Sequence, residues 1–157
     1  MGVAGAAEAY ADQLAAHVDR VRERAAALPR RPKVYFEEWD VPAISAIRWV
    51  SELVGVAGGD DIFPQRALAS LGRDRIVADL DEVLACAPDM VIGSWCGKKF
   101  RPEQVAARPG WAAMPAVRDG ELHEVKSPLI LQPGPAALTA GLDRLQALIQ
   151  AWSDRGG

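Results

Sequence analysis

The chemistry this chain can offer is concentrated where apolar runs end. The run Met90-Val91-Ile92-Gly93 hands over to Ser94, Trp95, Cys96 and Gly97, followed by Lys98, Lys99, Phe100 and Arg101. A thiol two residues from an ammonium group can serve as a nucleophile or a soft metal ligand, because a nearby cation favours the thiolate. The competing reading is plain packing, since no His lies close to Cys96 in sequence. Lys98 and Lys99 can pair with carboxylates or phosphate on a ligand, or can simply solvate a loop. Trp39 and Trp95 each follow a strand-like run, beside Glu38 and Ser94 respectively. They offer aromatic faces next to polar anchors, the usual makeup of a small-molecule pocket. The alternative for each is packing under neighbouring loops.

Bulk properties narrow the classes. At 157 residues, half of them hydrophobic and a quarter charged, the chain suits one globular domain with its own core. The net charge of −3 argues against nucleic acid as a partner. No apolar run approaches the roughly 20 residues of a membrane helix. The start, "MGVAGAAEAYADQL", has neither a basic segment nor a long apolar one, so no export signal is read, and the chain as written is expected to stay in the cytoplasm. Cys86 falls on an amphipathic segment and is expected in the core, and without a CxxC or a Cys/His cluster no structural zinc site is expected. His123 is expected as a strand residue and His17 as a surface or packing residue of a helix.

The elements that must position these residues follow from periodicity. Tyr10, Leu14, Val18, Val21, Ala25 and Leu28 lie on one face of a long helix of about 35 Å, ended by Pro29 and Pro32. "KVYFEEW" predicts a strand. A helix is expected from about Asp40, with Asp40 as cap, Pro42 in the first turn and Gly58-Gly59 as its stop. An irregular connection, a short strand "RIVA" and a helix "DLDEVLACAP" follow, the last with Asp79 and Glu82 at capping-box spacing. "DMVIGS" predicts a buried strand. Two short helical pieces, the strand "ELHEV", a Pro-rich loop "KSPLILQPGP" and a closing amphipathic helix complete the chain. The expectation is an α/β fold: three layers, a mostly parallel sheet between helices, preceded by one long helix over 5–29, with the α/β unit over 32–153. Ligands of such sheets bind outside the carboxyl ends of the strands. "EEWD", "SWCGKK" and the segment from Ser127 to Pro135 would share that rim.

Three stretches in order resemble a known family: Trp49-Val50-x-Glu52-Leu53 through Gly58-Gly59, Glu82-Val83-Leu84-Ala85 through Pro88-Asp89, and Trp111 through Ala116-Val117 and Gly120. They resemble the C-terminal lobe of the class III, helical-backbone solute-binding proteins of ABC importers, most closely the cobalamin-binding-protein-like group. The resemblance covers about residues 5–152. It implies two α/β lobes joined by a long helix, ligand in the cleft between them, and here one lobe with the N-terminal lobe absent. It implies no catalysis and no cofactor, with cobalamin, haem or a ferric siderophore as the ligand. Trp39 and Trp95 would face a corrin or porphyrin, with Glu38, Ser94, Cys96, Lys98 and Ser127 around them. On this lobe the family's permease-docking carboxylate matches Asp81, with Asp79 and Glu82 beside it, at a helix N-terminus that presents negative charge to a partner's arginines. The implied partners are ABC permease subunits, a chelate ligand and the missing lobe, and the implied location is periplasmic or extracytoplasmic. Two departures, Arg73-Asp74-Arg75 in place of an aromatic and Leu131-Gln132 in place of a charged pair, count against cobalamin itself. Arg75 then suits an anionic ligand, such as a siderophore or a haem propionate. Two rival readings are an interaction module dimerising through the long helix and an enzyme built on Cys96.

Overall fold

The computed structural model of the chain describes residues 2–156. A long helix, α1 (Val3–Ala26), leads into a strand β1 (Lys33–Asp40). Val34, Tyr35, Phe36 and Glu37 are all buried, so β1 has cover on both faces rather than one, as parallel strands do. It pairs in parallel with β4 (Met90–Gly93), and β4 pairs in parallel with β5 (Leu122–Glu124). The other edge of β1 is shared. Its beginning pairs in parallel with the two-residue β3 (Asp60–Asp61), and its end pairs antiparallel with β2 (Ala43–Ser45).

Helices cover both faces. On one side α1, α2 (Arg48–Ala57) and α7 (Leu142–Arg155) close over Val34, Phe36, Met90, Ile92 and Val125. On the other, α3 (Asp81–Cys86), α4 (Pro102–Ala106) and α5 (Pro115–Arg118) close over Tyr35 and Val91, with Trp111 wholly buried between them. This is the three-layer α/β arrangement expected. The apolar stripe of α1 is only half used. Val21 and Ala25 are buried, whereas Tyr10 is 48% and Val3 86% exposed. The buried half is tied down at several points. His17 bonds Asp143 at 2.7 Å, and the Arg30 guanidinium sits 3.8 Å over the Trp152 ring.

Several local expectations are corrected. The second helix starts at Arg48, not near Asp40, because the chain reverses at Val41-Pro42 and Ala43–Ser45 bonds back to β1 (Glu37↔Ser45, Asp40↔Ala43). Over so short a run, Ile44 and Ile47 fit either period, and the backbone bonds available at the edge of β1 decide. Asp40 therefore caps no helix and pairs with Lys98 instead. "RIVA" is not a strand. A 3₁₀ turn at Gly72–Arg75 delivers it to the edge of β2, where it makes a single bridge, Ile44↔Ile76. The β3 pair came from a stretch read as irregular. The capping box does not form: Asp79 accepts the Asp81 N–H at 2.9 Å, while Glu82 turns to Arg66 at 2.6 Å. The Pro-rich loop contains a short helix, α6 (Ser127–Ile130), and the closing helix is entered through a wider π-helical turn at Ala137–Gly141. Cys86 is half-buried rather than fully in the core.

Two glycines answer steric demands. Gly58 ends α2 at φ 104, and a Cβ there would meet Leu28 Cδ1 at 2.6 Å. Gly93, the last residue of β4, lies against the Phe100 ring, which fills the space a Cβ would take. Phe100 in turn packs edge-on against Trp95, ring centres 5.0 Å apart. Gly93→Ala is therefore expected to displace both rings and cost about 1–3 kcal/mol, read as a lowered urea midpoint with an unchanged slope.

Candidate functional site

Parallel pairing sets Glu37, Gly93 and Glu124 side by side at the carboxyl ends of β1, β4 and β5. The three segments that leave this row carry most of the candidate residues, so the predicted rim exists. Its foundation is a residue the sequence analysis passed over. Glu37 is fully buried. Its carboxylate accepts two N–H bonds from Arg108 at 2.8 and 2.9 Å, the Tyr35 hydroxyl at 2.7 Å and the Trp95 indole N–H at 3.1 Å. A buried carboxylate is tolerable only when paired and bonded in this way, and the two-pronged guanidinium contact is the strongest form. Arg108 is itself held by stacking, 4.7 Å from the centre of the Trp111 ring. Burial, reinforced by the neighbouring Glu37 charge, pushes the Tyr35 hydroxyl well above its ordinary pKa.

A second pair follows at the next residue of β1, where its register with β2 shifts. Glu38 is paired with Arg75, which is only 4% exposed and also donates to the Ser45 carbonyl at 2.5 Å. Burial raises the Glu38 pKa although the Arg75 charge opposes it. Trp39 is half-buried, and its N–H donates to the Val41 carbonyl at 2.9 Å. The Lys98 ammonium lies 4.6 Å from the Trp39 ring centre and 5.1 Å from that of Trp95, and pairs with Asp40 at 2.5 Å.

The structure thus sorts the candidates. Trp39, Trp95 and Lys98 are brought together. Trp95 is 4% exposed and works mainly from inside, against Glu37 and Phe100. Ser94 is buried with its hydroxyl unpartnered, and its N–H donates to the Glu37 carbonyl at 2.8 Å. Arg75 is inside the protein, committed to Glu38. Cys96 is a free, exposed thiol on the loop. Ser127 lines an open cavity of about 360 Å³ with Trp95, Lys98, Lys99 and Lys126. A larger hollow lies elsewhere, an apolar groove of about 810 Å³ between α1, α2 and the turn before the π-helical segment, bordered by Leu14, Val18, Trp49 and Leu138. Asp81 is exposed at the start of α3, with Asp79 bonded to its amide. Among the described residues, no cluster of three or more His, Cys, Asp or Glu side chains is arranged to hold a metal ion.

Glu37, Arg108, Asp40 and Lys126 were missed. The available signal was the pair Glu37-Glu38 inside an otherwise buried strand: alternation sends one carboxylate to each face, and each then needs a cation. The two arginines that answer, Arg75 and Arg108, stand 37 and 71 residues further along the chain.

Arg108→Met should leave Glu37 buried and short of its counter-charge, destabilising the fold by about 3–5 kcal/mol. Adding Glu37→Gln should restore much of that loss, and urea unfolding of the two variants checks it. In a Tyr10→Phe background, Tyr35 is the remaining tyrosine. Because the folded state holds the Tyr35 proton more tightly than the unfolded one, stability falls as the pH rises above about 10. Phenolate absorbance should accordingly appear only together with alkaline unfolding.

The family model described as periplasmic binding protein matches residues 1–129. No curated protein sequence matches significantly. Among solved structures, the periplasmic heme-binding protein RhuT from Roseiflexus sp. RS-1 is similar with a TM-score of 0.79 and 21% identity, over 97% of this chain and 58% of that one. An ABC transporter substrate-binding protein from Listeria monocytogenes EGD-e gives 0.74 and 15%, over 89% and 55%. The periplasmic vitamin B12 binding protein BtuF of Vibrio cholerae gives 0.63 and 17%, over 87% and 50%. The chain therefore spans between 50% and 58% of the length of these structures. Nothing in these matches supports a thiol enzyme or a helix-mediated dimer. With most of its length matched by the family model and its fold that of one helical-backbone lobe, the chain belongs to the periplasmic binding protein family.

Proposed function

We propose that this chain forms one wall of the solute cleft in the receptor of an ABC importer, for a cobalamin-like or iron-chelate ligand, and that it performs no catalysis. The observation that carries this reading is the half-exposed Trp39 ring at the carboxyl ends of three parallel strands, with the Lys98 ammonium against it. An aromatic face beside a cation suits a broad ring or chelate. Similar folds in a heme-binding protein and a vitamin B12 binding protein support the ligand class. In this reading residues 5–29 form the helix that joins two lobes and residues 32–153 the ligand-binding lobe. The exposed N-terminal half of α1, with Tyr10 outward, is then the part that would meet the second lobe.

Trp39, Lys98 and Ser127 are the residues proposed to touch ligand. Glu38, Arg75, Ser94 and Trp95 act from behind, holding the rim in place. Cys96 lies at its outer edge. Asp81, exposed at the start of α3 beside Asp79, is proposed to meet cations of the permease. The site of action is extracytoplasmic, as for periplasmic binding proteins generally.

Titration with haemin, cyanocobalamin and a panel of ferric siderophores, following tryptophan fluorescence, tests the reading on this chain and on a two-lobed receptor that includes it. One ligand is expected to bind the two-lobed protein with at least tenfold higher affinity than the lobe alone. Trp39→Ala should weaken it by a further factor of about ten, or about 1.4 kcal/mol. A two-lobed protein that ignores the whole panel would sink the proposal.

A further inference from the structure

The cations nearest the strand ends are already matched: Arg108 by Glu37, Arg75 by Glu38 and Lys98 by Asp40. Further out the balance changes. The cavity of about 360 Å³ is bordered by Lys98, Lys99 and Lys126, with Glu124 and Ser127. A second hollow of about 340 Å³ adjoins it through Glu124 and Lys126 and adds Arg144 from α7. Among the described residues Glu124 is the only carboxylate lining either hollow, and its Oε2 already accepts the Phe100 N–H at 2.8 Å. Among the described residues, Lys99, Lys126 and Arg144 enter no ion pair. A chain with a net charge of −3 thus collects unmatched positive charge at one corner of its rim.

Such a corner selects its ligand by charge. Ammonium groups in a concavity with apolar walls focus a positive potential. A neutral or cationic solute covering them would strip their water and return nothing, whereas anionic oxygens restore the lost hydration. Lys98 adds to the effect. The Lys98 ammonium lies over one face of Trp39; a ring laid on that face would displace it, and an anion in the adjoining hollow offers that ammonium a new partner.

Resting on the cleft reading above, we infer that the solute is a polyanion whose carboxylate or catecholate groups are held by Lys99 and Lys126, with Arg144 extending the subsite. Uncharged corrins and neutral hydroxamate chelates are disfavoured by the same corner. Arg75, buried against Glu38, takes no part in this contact, contrary to the role the sequence suggested for it.

The first arm of the test uses citrate as a ring-free probe, followed by amide shifts of the ¹⁵N-labelled chain. Saturable shifts are expected at residues 97–99 and 124–128, weakening with added salt and at least tenfold weaker in Lys99→Glu/Lys126→Glu. Both lysines are exposed, so the double variant should melt like the parent. Absent shifts there, or shifts that survive the charge reversal, overturn the inference. The second arm compares haemin with its dimethyl ester, and a ferric tris-catecholate with a neutral ferric hydroxamate, by tryptophan quenching in a two-lobed receptor. The anionic member of at least one pair should bind at least tenfold tighter. Equal binding within both pairs, unaffected by the double variant, overturns the anionic subsite and leaves the cleft reading standing. Citrate shifts at the stated residues with no chelate bound overturn the cleft reading and leave the subsite.

Discussion

A fully buried carboxylate organises this lobe. Glu37 occupies the last interior position of β1, where the strand still has neighbours on both faces. A charge in that setting needs every donor it can reach. It recruits one from its own strand (Tyr35), one from the loop after β4 (Trp95) and a guanidinium from just beyond α4 (Arg108). Another path for the segment after β4 would break the Trp95 bond to that carboxylate. This part of the rim is therefore fixed by the protein's own contacts.

From this point outward the rim grades from closed to open electrostatics. Glu37 with Arg108 and Glu38 with Arg75 are internal pairs with no reason to exchange partners. Lys98 with Asp40 is intermediate, because its lysine is partly exposed and also lies over two indole rings. Lys99, Lys126 and Arg144 stand outermost. The inner pairs provide shape and the outer cations provide the field. The same division explains why Arg75, which looked like a ligand contact by its position in the sequence, is a structural residue: Glu38 and the Ser45 carbonyl claim it first.

Much of the fold was legible. The long helix, the strands at "KVYFEEW", "DMVIGS" and "ELHEV", and the α3 and α7 helices follow from apolar periodicity and from Pro and Gly punctuation. The failures cluster at one edge of the sheet. Residues 40–47 were read as the start of a helix and form a hairpin arm, the segment at 76–78 makes one bridge instead of a strand, and Asp60–Asp61 pairs unannounced. These segments are short, and short segments take their conformation from whichever backbone donors and acceptors a neighbour leaves free. Among the candidate residues, Trp39, Lys98 and Ser127 could be named because each lies in the last residues of a strand or in the segment after one. Glu37 and Arg108 could not, because their significance lies in meeting each other.

The sequence by itself determined the layer order, the parallel sheet and the row of segments at the carboxyl ends of its strands, because periodicity and chain order are local and survive without coordinates. Tertiary structure alone decided which charges are spent and which are free. Pairing partners such as Glu37 and Arg108 are separated by 71 residues, and a cation's availability depends on whether folding brings a carboxylate within hydrogen-bonding distance. That is why two arginines turned inward while Lys99 and Lys126 were left exposed and outside any ion pair of the described residues.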